Sequence, residues 1–272
     1  MRNSKTNELV LTGLFTAIII IMAFTPLGYI PLVVINATII HIPVILGSLF
    51  CGPKKGAFLG FVFGFTSCLK ATIVGGTLSS FVFSPVRAAS RVGTSGIFKS
   101  LFIAFVPRIL VGVIPYFVYI GIKKVLASEK KNLWGTVLNV LMSVFLAFGV
   151  YAFLGKMSES LSQAAALGIG IAVGAVVFIV VEAVFIRKST QVIPFVYAGV
   201  AGAMTNTLLV MGSIFVLYKD AYADAIGVAG NAVLGVITGV ISFNGVIEAI
   251  VAAIIVYLVG LVLNTIKPIA AK

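Results

Sequence analysis

Charge is the scarcest property of this sequence. Seven acidic and nineteen basic residues occur in 272, so only 10% of the chain is charged. A soluble protein of this length needs roughly 25% charged residues to cover its surface. Most of the outer surface therefore faces lipid, which excludes a soluble enzyme, a disordered chain and a secreted disulfide scaffold. Histidine occurs once and cysteine twice; with no Cys cluster and no HExxH, no zinc site can be assembled. Cys51 and Cys68 flank an apolar stretch expected to be helical from about Ala57. The helical rise alone separates them by roughly 15 Å, too far for a disulfide. There is no P-loop either. Gly149-Val-Tyr-Ala-Phe-Leu-Gly155-Lys156-Met157 has the wrong spacing and lacks Ser or Thr after the lysine. The half-fingerprint Gly168-x-Gly170-x-x-Val173 follows no strand. These absences argue against an enzyme and against a cofactor in this chain; any ATP must be used by a partner subunit. No cleavable signal is expected after Leu9–Phe24, because Thr25-Pro26-Leu27 lacks the small-x-small pattern.

What is present is apolar: 61% of residues. A helical span needs roughly 20 apolar residues. The sequence predicts an all-α integral membrane protein, one membrane domain over 1–272, with eight spans: Leu9–Phe24, Ile30–Phe50, Ala57–Leu69, Ser100–Ile122, Leu133–Leu154, Ala165–Ile186, Pro194–Leu217 and Val246–Leu263. Ala225–Phe243 is glycine-rich and is expected to be interfacial or re-entrant.

The formal charge of +12 reflects topology, not nucleic acid, because cytoplasmic loops of multi-pass proteins retain Lys and Arg. Eight spans put both termini on one side with Arg2, Lys5, Lys54, Lys55, Lys123, Lys124, Lys130, Lys131, Arg187, Lys188, Lys267 and Lys272. Lys70, Arg87, Arg91, Lys99, Arg108, Lys156 and Lys219 go to the other. The larger set marks the cytoplasmic side, with the protein in the plasma membrane. Lys70, Arg87, Arg91 and Lys99 then gather at one outer loop against the rule.

Gly52, Gly56, Gly60 and Gly64 line one helical face, which suits close backbone packing inside the protein or a surface for a ligand or partner. Gly13 and Ala17 form a second small pair, suited to internal packing or to a subunit interface. Polar residues inside spans are few and invite functional readings. Lys70 is expected at the outer end of the third span, Arg108 at the outer start of the fourth, and Asn244 and Glu248 at the outer start of the last. Asn206 and His41 are expected at mid-depth. His41 either packs against a carbonyl freed by Pro43 or meets a ligand; Arg108 either snorkels or binds. Glu182, near Arg187 and Lys188, reads as structural. Together the polar groups suggest a cavity in the outer half of the membrane.

Several runs in order resemble the S components of energy-coupling factor (ECF) vitamin transporters. They are Ile40-His41-Ile42-Pro43-Val44-Ile45-Leu46-Gly47, Gly52-Pro53-Lys54-Lys55-Gly56-Ala57 with Gly60, Phe83-Ser84-Pro85, Val106-Pro107-Arg108-Ile109-Leu110-Val111-Gly112, Met204-Thr205-Asn206-Thr207 and Asn244-Gly245-Val246-Ile247-Glu248-Ala249. The pantothenate-type branch is the most similar. The resemblance covers about residues 8–126 and 190–265 and implies a six-helix core. It also implies a transmembrane coupling subunit meeting Gly13 and Ala17, and two cytoplasmic ATPases that drive toppling of the S component. Residues 128–189 depart from it as an inserted two-helix hairpin between core helices four and five.

On this reading the protein captures a small water-soluble vitamin from the outside. Asn36, His41, Lys70, Phe83, Ser84, Arg87, Arg91, Arg108, Asn206, Asn244 and Glu248 are the candidate ligand residues. The loop Lys70–Lys99 would close over them. Arginine or lysine would meet an anionic group, and Asn206, Asn244 and Glu248 would bond hydroxyls or amides. Pantothenate suits this set; a pyridoxine-like vitamin suits it nearly as well. A stand-alone ion-coupled transporter is the rival from another class.

Overall fold

The computed structural model describes residues 2–31, 36–75, 77–157, 161–188, 192–266 and 268–269. Lipid offers no partners to backbone N–H and C=O groups, so long apolar segments close their hydrogen bonds internally as helices. Among the described residues seven helical segments are long and apolar enough to cross a membrane. They give an all-α integral membrane protein with one small exception.

Helix α1 (Arg2–Phe24) is followed not by a second long helix over Ile30–Phe50 but by two paired strands and a short helix. Strands β1 (Tyr29–Pro31) and β2 (Asn36–Thr38) pair antiparallel, with Tyr29 opposite Thr38, and α2 covers only His41–Cys51. Proline explains the correction. Pro31 would break a continuous helix, whereas Pro43 lies in the first turn of α2, where its missing N–H is not needed. His41 consequently opens α2 instead of lying mid-helix.

Gly52, at φ 87°, turns the chain directly into α3 (Pro53–Ile73), which is a full-length span. A 3-10 turn (Ser80–Phe83) and α4 (Pro85–Val92) make the loop beyond it. The fourth span is Ser95–Leu126, divided into α5 (Ser95–Val111) and α6 (Ile114–Leu126). α7 (Lys131–Met157) and α8 (Gln163–Lys188) follow, then α9 (Val192–Ile226), kinked at Tyr218. The stretch Ala225–Phe243 is the second correction. After Gly227 and a turn, its later part forms α10 (Val233–Val240), which runs through a π-helical segment (Ile241–Gly245) into α11 (Val246–Ile266). The last span is thus the 34-residue Val233–Ile266. An expected re-entrant piece is in large part the opening of that span.

The glycine face of α3 packs inside the chain. A Cβ at Gly56 would strike the carbonyl of Gly112, one at Gly60 the carbonyl of Arg108, and one at Gly64 the carbonyl of Ala104. The partners descend as the glycines ascend, so α3 and α5 are antiparallel and meet backbone to backbone.

α7 and α8 pack on each other, and α7 meets α6 and α11. Phe153 stacks on Phe243 with centroids 4.9 Å apart, and the Tyr197 hydroxyl donates to the carbonyl of Leu138. Glu182 joins the pair: its carboxylate accepts from Thr136 Oγ1 at 2.7 Å and from Asn139 Nδ2 at 2.6 Å. Asn139 is buried, so removing its acceptor strands a buried donor. Glu182→Ala should therefore destabilise the protein by about 1–3 kcal/mol, read as a lower detergent-solubilised melting temperature. An unchanged melting temperature would show that the triad contributes nothing net.

Candidate functional site: a polar layer between two apolar clusters

Two apolar clusters divide the molecule along the helix axes. One contains Phe15, Ile45, Leu59, Val111, Phe195, Ala198, Ala249 and Ala252. The other contains Phe81, Ile103, Val210, Ile214, Tyr218, Val233 and Ile237. Every long helix that contributes to both changes chemistry between them. On α9 the residues in between are Thr205, Asn206 and Thr207; on α5 Arg108; on the last span Asn244 and Glu248. All of these are buried.

The layer lies deeper than the sequence suggests. Arg108 is near the middle of Ser95–Leu126, Glu248 near the middle of Val233–Ile266, and Asn206 near the middle of Val192–Ile226. Arg108 and Glu248 were expected at outer helix ends because α5 and the last span both start earlier than hydropathy indicates. The alternative of a snorkelling Arg108 goes with that placement, since its side chain is 6% exposed.

Local chemistry places Arg108. Pro107 lacks an N–H, so the carbonyl of Ile103 loses its helical donor. Arg108 Nη1 donates to that carbonyl at 2.7 Å. The guanidinium lies over Phe83 (4.7 Å to the ring centroid) and Phe63 (5.5 Å), an arrangement that holds a cation out of water. Phe83 belongs to the 3-10 turn, so the loop before α4 reaches down into the layer.

Glu248 organises the opposite wall. Oε1 accepts from the backbone N–H of Thr38 at 2.8 Å, and Oε2 accepts from Thr207 Oγ1 at 2.9 Å. Arg108 is close enough for its charge to be felt at this carboxylate. Asn244 is one turn before Glu248, and Asn206 precedes Thr207. Among the described residues the Oδ1 atoms of Asn206 and Asn244 and both ring nitrogens of the fully buried His41 meet no hydrogen-bond partner. Buried polar atoms are nearly always satisfied, so these mark positions that a polar ligand can complete. Two are acceptors and therefore call for ligand donors such as hydroxyl or amide N–H.

The remaining predicted residues lie elsewhere. Lys70 Nζ donates to the carbonyl of Ala23 at 2.9 Å, joining the far ends of α3 and α1. Buried Ser84 caps α4 by accepting from Arg87 N–H at 3.3 Å, and its Oγ is 2.8 Å from Thr72 Oγ1. Arg87 is exposed and donates to Thr72 O at 3.4 Å. Arg91 is exposed and lies over the Phe81 ring at 4.9 Å. These four brace the loop between α3 and α5 and do not join the buried layer. The side chain of Asn36 lies outside the described residues. Sequence reasoning missed Phe63 and the backbone of Thr38, and noted Thr207 only as a neighbour of Asn206. For Phe63 a signal existed: it sits beside Gly60 and Gly64 on the face that brings α5 close. Among the described residues no three His, Cys, Asp or Glu side chains stand close enough to hold a metal ion.

A multi-pass helical bundle with a buried polar layer near mid-span is an arrangement suited to a membrane transport protein. The chain belongs to the ECF transporter, substrate-specific component family, whose model matches residues 7–186. It is 42% identical over 161 residues to the pantothenic acid transporter PanT of Lactococcus lactis, covering 55% of this chain and 78% of that one. It is 27% identical over 277 residues to the pantothenate transporter PanT of Leuconostoc mesenteroides, covering 100% of this chain and 98% of that one. The second alignment runs through α7 and α8, so this relative is long enough to contain such a pair.

Proposed function

We propose that this chain captures pantothenate in the polar layer and delivers it inward together with a transmembrane coupling subunit and two cytoplasmic ATPases. The observation that carries the reading is Arg108: a buried cation between two aromatic rings, in a layer where Asn206, Asn244 and His41 still need partners. Pantothenate has a carboxylate for the guanidinium and hydroxyl and amide donors for the two asparagines. The names of the two relatives support the same substrate. Lys54, Lys55, Lys123, Lys124, Lys130 and Lys131 all fall at the end where α1 begins, which supports cytoplasmic termini. The test is calorimetric titration of the purified chain with pantothenate, alongside an ATPase assay. Binding without ATP hydrolysis is expected. Hydrolysis intrinsic to this chain, or uptake without any ATPase partner, would overturn the reading.

The coupling contact is assigned to α1. Thr12, Phe15, Ile19 and Ala23 bury one face, while Gly13 and Ala17 are on the exposed one and a Cβ at Gly13 would touch nothing. Internal packing thus leaves that small pair unused. Gly13→Leu should leave pantothenate affinity within about threefold and abolish copurification with the coupling subunit, because a bulky side chain separates helices that pack through small residues. Normal complex assembly would place the contact on another face.

A further inference from the structure

Glu248 is held by protein groups on both oxygens, and the more informative bond is the one to a backbone. Thr38 ends β2, and His41 opens α2 one turn later. The chain between them is fixed by short-range bonds: Ile39 N–H donates to Gly28 O at 3.0 Å, and Ile42 N–H donates to Ile39 O at 3.0 Å. α2 has no side-chain cap at its start. Besides the pairing of β2 with β1 and the packing of the buried α2, what holds Thr38 is Glu248, which is itself fixed to α9 through Thr207. Among the described residues the His41 ring has no hydrogen-bond partner to locate it. Its place depends on the backbone that delivers it, and on packing.

We propose that Glu248 is a positioning residue: by clasping Thr38 it fixes the β2–α2 junction and so aims His41 into the vitamin site, without itself touching the vitamin. The proposal rests on the polar layer being that site. Its first half, the clasp, is testable with no vitamin present.

Two properties separate this role from direct ligand contact. A clasp needs an acceptor for the Thr38 N–H and a hydrogen-bonding partner for the Thr207 hydroxyl. Glutamine supplies both, because its carbonyl accepts and its amide donates to the hydroxyl oxygen; leucine supplies neither. A clasp also acts through His41, so its loss should matter little once the imidazole is gone. Residues that work through one another show such non-additivity, whereas independent contacts add.

The experiment uses the full-length chain with Cys51→Ala and Cys68→Ala and a reporter at Thr38→Cys, which preserves the backbone N–H. Maleimide labelling is followed without vitamin. Adding Glu248→Leu should raise the labelling rate by at least about tenfold, since a buried hydrogen-bonded segment is released. Glu248→Gln should stay within about threefold of the parent because the bonds are replaced. Calorimetry with pantothenate should then show about tenfold or greater loss for Glu248→Leu in the native-cysteine chain, and within about threefold for Glu248→Gln. In a His41→Ala background, Glu248→Leu should cost no more than about threefold further. If Glu248→Leu does not fold, Thr207→Val severs one of the two bonds and should raise labelling about threefold. Unchanged labelling in the folded variants overturns the clasp. A Glu248→Gln protein that labels like its parent yet loses binding tenfold shows that the carboxylate meets the vitamin directly. Additive losses with His41→Ala overturn the link to His41. A parent that labels slowly but binds no pantothenate overturns the vitamin reading and not the clasp.

Discussion

Arg108→Gln is expected to weaken pantothenate binding by about 30- to several-thousand-fold, the range measured when one partner of a buried charge pair is removed. Arg108 is the only one of the predicted arginines that is buried, and its guanidinium lies between Phe63 and Phe83, where solvent screening is weak. Arg87→Gln and Arg91→Gln should each change affinity by less than about threefold, because exposed charges are screened and contribute little. Titration calorimetry on the three variants makes the comparison. An amide analogue of the vitamin should bind the parent poorly and lose little further in Arg108→Gln. Equal affinity for acid and amide in the parent would show that the carboxylate is not what Arg108 recognises. A large loss at Arg87 or Arg91 would place the anion subsite in the outer loop.

The second large effect is expected at Gly60. A Cβ there would collide with the carbonyl carbon and oxygen of Arg108 and with the backbone of Ile109. A helix backbone cannot step aside as a flexible side chain would, so the whole of α5 must shift. Gly60→Ala should destabilise the protein by about 1–3 kcal/mol, and binding should fall with it because the displaced carbonyl belongs to Arg108. Gly60→Leu should not accumulate as a folded protein. Gly13→Leu serves as the contrast, since nothing lies near that position; its melting temperature should match the parent. Normal stability and affinity in Gly60→Ala would mean that the α3–α5 contact is looser than the backbone geometry shows.

The two glycine pairs illustrate how far sequence reasoning reaches. The four-residue spacing of Gly52, Gly56, Gly60 and Gly64 identifies a close-packed face, and three of the four serve it. Gly52 instead makes the positive-φ turn between α2 and α3. Spacing cannot separate those roles, because a helix end and a helix interior read alike when a proline follows. For Gly13 and Ala17 the sequence left internal packing and a subunit contact open. Only the burial of the opposite face of α1 shows that internal packing among the described residues does not use this pair.

The polar layer was half legible. His41, Arg108, Asn206, Asn244 and Glu248 are singled out by being polar within apolar runs, and all five are buried; the last four lie between the two apolar clusters. Their depth was misread because hydropathy marks the apolar centre of a span and not its ends. The start of α5 contains Ser95, Lys99 and Ser100, and the last span opens through glycine-rich Val233–Val240; both pull the apparent boundary inward. The charge anomaly of the outer loop had the opposite weakness. Lys70, Arg87 and Arg91 stood out by number, yet they bond carbonyls or cover a ring at the outer loop.

Composition and periodicity by themselves determined that this protein lives in a membrane, that it is helical, which side of it is basic and which few polar residues need a reason to be there. Those properties follow from the cost of charge and unpaired backbone in lipid, a cost paid residue by residue along the chain. The tertiary structure alone decided that strands 29–31 and 36–38 pair and bond to Glu248 through Thr38, that Arg108 takes the carbonyl that Pro107 frees, and that Arg87 and Arg91 remain outside the layer. These depend on which helices meet and at what height. Such pairings are made between segments far apart in the chain, and no local pattern records them.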